Sequence, residues 1–157
     1  MIHAELIGDK HLGDRLQQAR DTIDGEMRKA TARGALKLLR HIKKNKLSGQ
    51  VLNVISDKLR GSINQRVEEK SGSVFEGIVG TKVEYAARFE YGFSGSESVR
   101  AHIRNGKNGP VNVRAFTRNV NVRQRSFMRS ALNDMADDIN VELASAMRKV
   151  VLRVNKS

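Results

Sequence analysis

The sequence predicts an α+β fold in which an antiparallel sheet packs against two long amphipathic helices and a basic β-hairpin projects from it. Three observations carry this expectation. Near both ends of the chain apolar residues recur every three or four positions, the period of a helix with one buried stripe. In the middle, short runs alternate apolar and polar residues between Gly, Ser and Asn clusters, the period of half-buried strands. One such run is arginine-rich and occurs twice. At 157 residues the chain is expected to form a single domain, 1–157, with 94–125 as an extended hairpin arm.

Ile2, Ala4 and Leu6 alternate with His3 and Glu5, a strand signal before Gly8. A helix then begins near Asp9. Leu12, Leu16, Ala19, Ile23, Met27 and Ala30 fall on one stripe, which continues to Leu38 and Ile42 across Gly34. Glycine costs a helix interior about 1 kcal/mol relative to alanine, so Gly34 marks a bend or a close helix contact. Lys43, Lys44 and Lys46 sit where cations meet the negative end of the helix dipole and read as a solvated last turn.

Ser48 is placed to cap a second helix carrying Val51, Leu52, Ile55 and Leu59, ended by Gly61. Ile63 to Glu69 and Ser73 to Thr81 then read as an antiparallel pair joined through Ser71-Gly72. Val74, Ile78 and Val79 are expected to face the core with Ile63 and Val67. Four of the seven aromatics, Tyr85, Phe89, Tyr91 and Phe93, crowd into one short stretch, which reads as a packed helical turn that Gly92 lets the chain leave sharply. In the last helix Met128, Leu132, Met135, Ile139, Leu143, Ala146 and Val150 form the stripe, and Asp134, Asp137, Asp138 and Glu142 its solvated side.

The chain holds 29 Lys and Arg against 17 Asp and Glu, a net charge of +12, with no Cys and one Pro. Disulfide scaffolds and cysteine-ligated metals are excluded, and the balance suits a reducing compartment. No apolar run has the length of a signal peptide core or a membrane span, so no membrane role is expected. The surplus is concentrated. Residues 94–125 contain Arg100, Arg104, Lys107, Arg114, Arg118, Arg123 and Arg125 against Glu97 alone.

Within that segment Val99-Arg100-Ala101-His102-Ile103-Arg104-Asn105 is echoed fourteen residues later by Val113-Arg114-Ala115-Phe116-Thr117-Arg118-Asn119. Both copies have strand alternation, and the intervening Asn105-Gly106-Lys107-Asn108-Gly109-Pro110 has turn chemistry. A hairpin is expected whose arginines line one face as a cationic ladder.

No catalytic set emerges. His3, His11, His41 and His102 have no spacing that joins two imidazoles on one helix face, no serine sits in a nucleophile elbow, and no glycine pattern cradles a phosphate. We expect neither catalysis nor a cofactor.

Three stretches resemble a known family. Lys58-Leu59-Arg60-Gly61-Ser62-Ile63, then Val79-Gly80 through Tyr85-Ala86-Ala87-Arg88-Phe89-Glu90-Tyr91-Gly92, then Arg125-Ser126-Phe127-Met128-Arg129-Ser130-Ala131-Leu132 follow the order of signals in the tail-completion family of long-tailed bacteriophages. These are the neck and minor tail proteins related to the lambdoid tail protein Z. Tyr85, Glu90, Gly92, Phe127 and Arg129 occupy the family-motif positions, while Ser126 and Ser130 stand where the family commonly has prolines.

The resemblance implies a structural virion protein in the tail or neck, assembled in the host cytoplasm. It would form a ring, commonly sixfold, around the channel that genomic DNA crosses. Its partners would be further copies of itself, the tail tube or tail terminator, and the head connector. On this reading the seven arm cations contact a partner or passing DNA without reading sequence. The competing expectation is a stand-alone basic nucleic-acid-binding module, although no helix-turn-helix or RNA-binding motif is present.

Overall fold

A computed structural model describes residues 9–52, 57–107 and 109–154. Helix α1 (Asp9–His41) and helix α4 (Phe127–Val154) each have an apolar stripe too long to be covered by anything but the other. They pair antiparallel: Glu26 meets Arg153, Arg33 and Lys37 meet Glu142, and His41 meets Asp134. Small residues allow the close approach. Ala30 and Ala146 are buried, and a Cβ on Gly34 would stand 3.6 Å from Ile139. Gly34 is thus a close helix contact.

The N-terminal end of α1 outruns α4. The last cross-helix pair is Glu26–Arg153, so Leu12 and Leu16, expected on the buried stripe, are 57% and 62% exposed. Leu132 of α4 is also exposed.

After His41 the helix widens into a π-turn over Ile42–Lys46, closed by the Leu47 N–H donating to the Ile42 carbonyl at 3.1 Å. An i→i+5 turn brings residues five apart onto one side. Ile42 and Leu47 are both buried, and they join Leu59, Ile63, Ala86, Phe127 and Ala131 in the central core. Ser48 does not cap a following helix; its hydroxyl donates back to the Lys43 carbonyl. The next helix, α2, is short (Asp57–Ser62) and contains Gly61 instead of ending before it. The strand expected over Ile2–Leu6, and Ile55 of the expected second helix, lie outside the described residues.

The strands form three two-stranded antiparallel ribbons instead of one sheet. In the first, β1 (Asn64–Glu69) pairs with β2 (Phe75–Gly80), Val67 lying opposite Gly77. This ribbon packs on α1, not on both helices. Gly77 permits the contact, because a Cβ there would lie 3.2 Å from Thr31 and 3.3 Å from Ala35.

Val79 shares that inner face with Val67 and Gly77, which puts Ile78 on the outer face opposite Arg66. Two adjacent strand residues cannot both point inward, so the expectation for Ile78 fails. Val74 also fails. Lys70 to Val74 form the connecting loop, with positive φ at Gly72 and Ser73, and Val74 is 55% exposed.

Candidate functional site: a clamped basic arm

The arm begins at helix α3 (Glu84–Tyr91), whose apolar face enters the core through buried Ala86. Gly92 follows at φ 80°, ψ 164°, a region open almost only to glycine. Space also demands glycine: a Cβ would stand 3.2 Å from the Gln124 nitrogen and 3.3 Å from the Val122 carbonyl oxygen. The outgoing and returning strands therefore cross at close quarters. From there β3 (Phe93–Val99) and β4 (His102–Gly106) run outward, and β5 (Gly109–Val113) and β6 (Phe116–Val122) run back.

The return is anchored by Glu90. Its buried carboxylate accepts the Met128 N–H at 2.8 Å and the Arg129 N–H at 3.0 Å, both unpaired donors of the first turn of α4. A side chain from another element thus caps the last helix. Ser126, at φ 46°, donates through its hydroxyl to the Glu90 carbonyl, and the Arg125 N–H donates to the Phe89 carbonyl at 2.7 Å. Phe127 fills the space beneath and is fully buried.

Aromatic contacts complete the root. Tyr85 and Phe89 meet edge to face at 6.2 Å, and the Arg129 guanidinium lies 5.5 Å from the Tyr91 ring centroid. Phe93 is not part of the helical ring stack; it starts β3 and carries the Arg88 guanidinium at 4.5 Å. Tyr85, Glu90, Gly92, Phe127 and Arg129 thus lie in one joint between α3, the arm and α4.

Phe93 pairs with Val122 and Val99 with Phe116; His102 pairs with Val113 and Gly106 with Gly109. Every pair obeys the same register, and two residues on each strand separate the two ribbons, so they form one continuous hairpin without a bulge. Pairing extends inside the expected six-residue turn as far as Gly106 opposite Gly109, and Asn108 lies outside the described residues.

This register removes the expected cationic ladder. A hairpin with an even-numbered loop pairs odd positions with even ones, and opposed residues share a face. Repeats offset by an even number therefore present their arginines on opposite faces. Arg104 shares its face with Val111, and the same register carried across the unpaired residues 100–101 and 114–115 sets Arg100 opposite Ala115 and Arg114 opposite Ala101. Cations stand on both sides of the ribbon.

The charges divide a second way. Glu97 accepts Arg88 at 3.1 Å through one oxygen and Arg118 at 2.9 Å through the other. Its carboxyl is held below the ordinary value by those bonds, Arg118 first and then Arg88. Arg118 therefore belongs to the root. Arg100, Arg104, Lys107, Arg114, Arg123 and Arg125 are exposed and have no carboxylate partner among the described residues. All five residues of β4 are exposed.

The body treats its charges differently. Asp134 accepts Lys46 at 2.6 Å and lies 3.2 Å from His41, so Lys46 is not a solvated last-turn cation and Asp134 is not a free acid. Glu142 takes Lys37 and Arg33, and those bonds lower its pKa from 4.5 to about 2. Burial opposes ionisation of Glu26, yet Arg153 and Lys29 outweigh it and lower its pKa. Sequence reasoning missed the pairs between α4 and the facing helix, since their members are up to 127 residues apart and nothing local announces them.

Against family models, curated proteins and solved structures, the chain shows no match.

Proposed function

We propose that the protein is a non-enzymatic structural component of a phage virion that completes the tail and joins it to the head, as a ring around the DNA channel. The observation that carries this reading is the arm. The strands between residues 93 and 122 form a hairpin clamped to α4 at its root, while its outer half carries charge that meets no carboxylate among the described residues. An element so built presents its charge to something outside the subunit.

The sequence motifs resembling the tail-completion family agree with this, because their five named residues build the joint that holds the arm. Overhanging α1, with Leu12 and Leu16 exposed, offers apolar surface for neighbouring copies or for the tail and connector proteins. In a sixfold ring the distal arm charge is repeated around the channel, where phosphate contacts hold DNA without reading its sequence.

The test is an assembly assay. With Arg100, Arg104 and Arg114 all replaced by Ser, heads and tails should accumulate unjoined. Normal joining overturns the role of the arm. The nucleic-acid-module reading differs in one outcome: it requires no defect in particle joining.

A further inference from the structure

We infer that the distal arm is a groove-entering element, and that its ligand is the phosphate backbone of duplex DNA. The inference names what the arm touches, and it rests on the proposed function only for the presence of DNA.

Three features of the arm point to it. From residue 98 to residue 133 the sequence has no acid, so Arg100, Arg104, Lys107 and Arg114 face outward with no internal counter-charge. Carried across the two unpaired residues between the ribbons, the shared register puts Arg100 and Arg104 on one face and Arg114 on the other, with Lys107 at the tip. An arm lying flat on an acidic protein surface would use one face, and the cations behind it would be wasted. An arm inserted between two walls of negative charge uses both.

Duplex DNA supplies two such walls, one phosphate row on each side of a groove, and its major groove, about 12 Å wide, admits a two-stranded β-ribbon. The third feature is composition. His102, Asn105 and Asn112 are the other polar side chains described in the distal half, and no bulky aromatic lies between residues 94 and 115 to stack on unpaired bases. Stacking platforms are what single-strand binders rely on. Two-stranded ribbons are also strongly twisted, which suits a helical groove.

Arg118 provides an internal control. It is an arginine of the same repeat, but Glu97 already holds it at the root. Neutralising phosphates with four cations gives a slope of log K against log salt of about −3.6, or about −0.9 per cation.

The experiment measures binding of the full-length protein to a short duplex over a salt series, beside a single strand of equal length and poly-glutamate. A fourfold variant, R100S/R104S/K107S/R114S, should flatten the duplex slope by about 3.6. R118S should leave it unchanged. Duplex should be bound more tightly than either other probe. An unchanged slope in the fourfold variant overturns the inference, as does equal or tighter binding of single strand or poly-glutamate.

Particle assembly separates this result from the proposed function. A variant that loses the duplex slope yet joins heads to tails normally leaves the arm a DNA element and overturns the joining role. A variant that keeps the slope but fails to join particles overturns the DNA contact alone.

Discussion

The body and the arm use the same basic residues to opposite ends. Along the α1–α4 seam Arg33, Lys37, Lys46 and Arg153 each reach an acid on the facing helix. Along the distal arm Arg100, Arg104, Lys107 and Arg114 reach none among the described residues. Matched charge fixes the register of two helices whose stripes of Ala, Leu and Ile would otherwise slide. Unmatched charge on an exposed ribbon adds nothing to folding and is left for a partner. Glu97 marks the boundary, since it ties Arg88 and Arg118 into the root.

The comparison breaks if body substitutions spare the fold or if arm substitutions harm it. The largest effect is expected at Phe127. Truncation to Ala should cost about 3–5 kcal/mol in denaturant unfolding, because the side chain is fully buried where α3, α4 and the π-turn meet. Gly92→Ala follows, at about 1–3 kcal/mol, since both its backbone region and the space around it exclude a Cβ. Glu90→Ala should cost about 1–2 kcal/mol, the price of an uncapped helix start, and should fray the first turn of α4 in hydrogen exchange.

The seam gives a pH test. Because the folded pKa of Glu142 lies below its ordinary value, its contribution is present above pH 4.5 and disappears as the pH falls toward about 2. Thermal midpoints of the wild type and of Glu142→Gln should therefore differ at neutral pH and converge in that window. Curves that stay parallel to pH 2 would mean that the seam pairs do not hold the helices. The smallest effect is on the arm: R100S/R104S/R114S should shift unfolding by no more than about 0.5 kcal/mol.

Both long helices, the hairpin arm and the aromatic joint were legible in the sequence because each rests on local periodicity or local turn residues. What escaped were relations between distant segments. Glu90 was legible as a motif residue, but that it caps α4 from another element depends on a contact 38 residues away. Asp134 and Glu142 looked like a solvated helix face until α1 supplied their partners. In the arm, both strands were foreseen, yet the loop was drawn too long. The expected six-residue turn has the same even parity as the observed register, and an even loop places repeats fourteen residues apart on opposite faces, so the one-faced ladder failed on that count and not on loop length. Ile78 and Val79 carry the same lesson, since apolar character cannot decide which of two adjacent strand residues faces inward.

The most direct measurement of the central claim is electron microscopy of intact particles in which the protein is tagged at its C-terminus. Density is expected for a ring of copies at the tail end or the head–tail junction, with hairpins directed toward the DNA channel. Particles that are complete and joined while lacking the protein would contradict it.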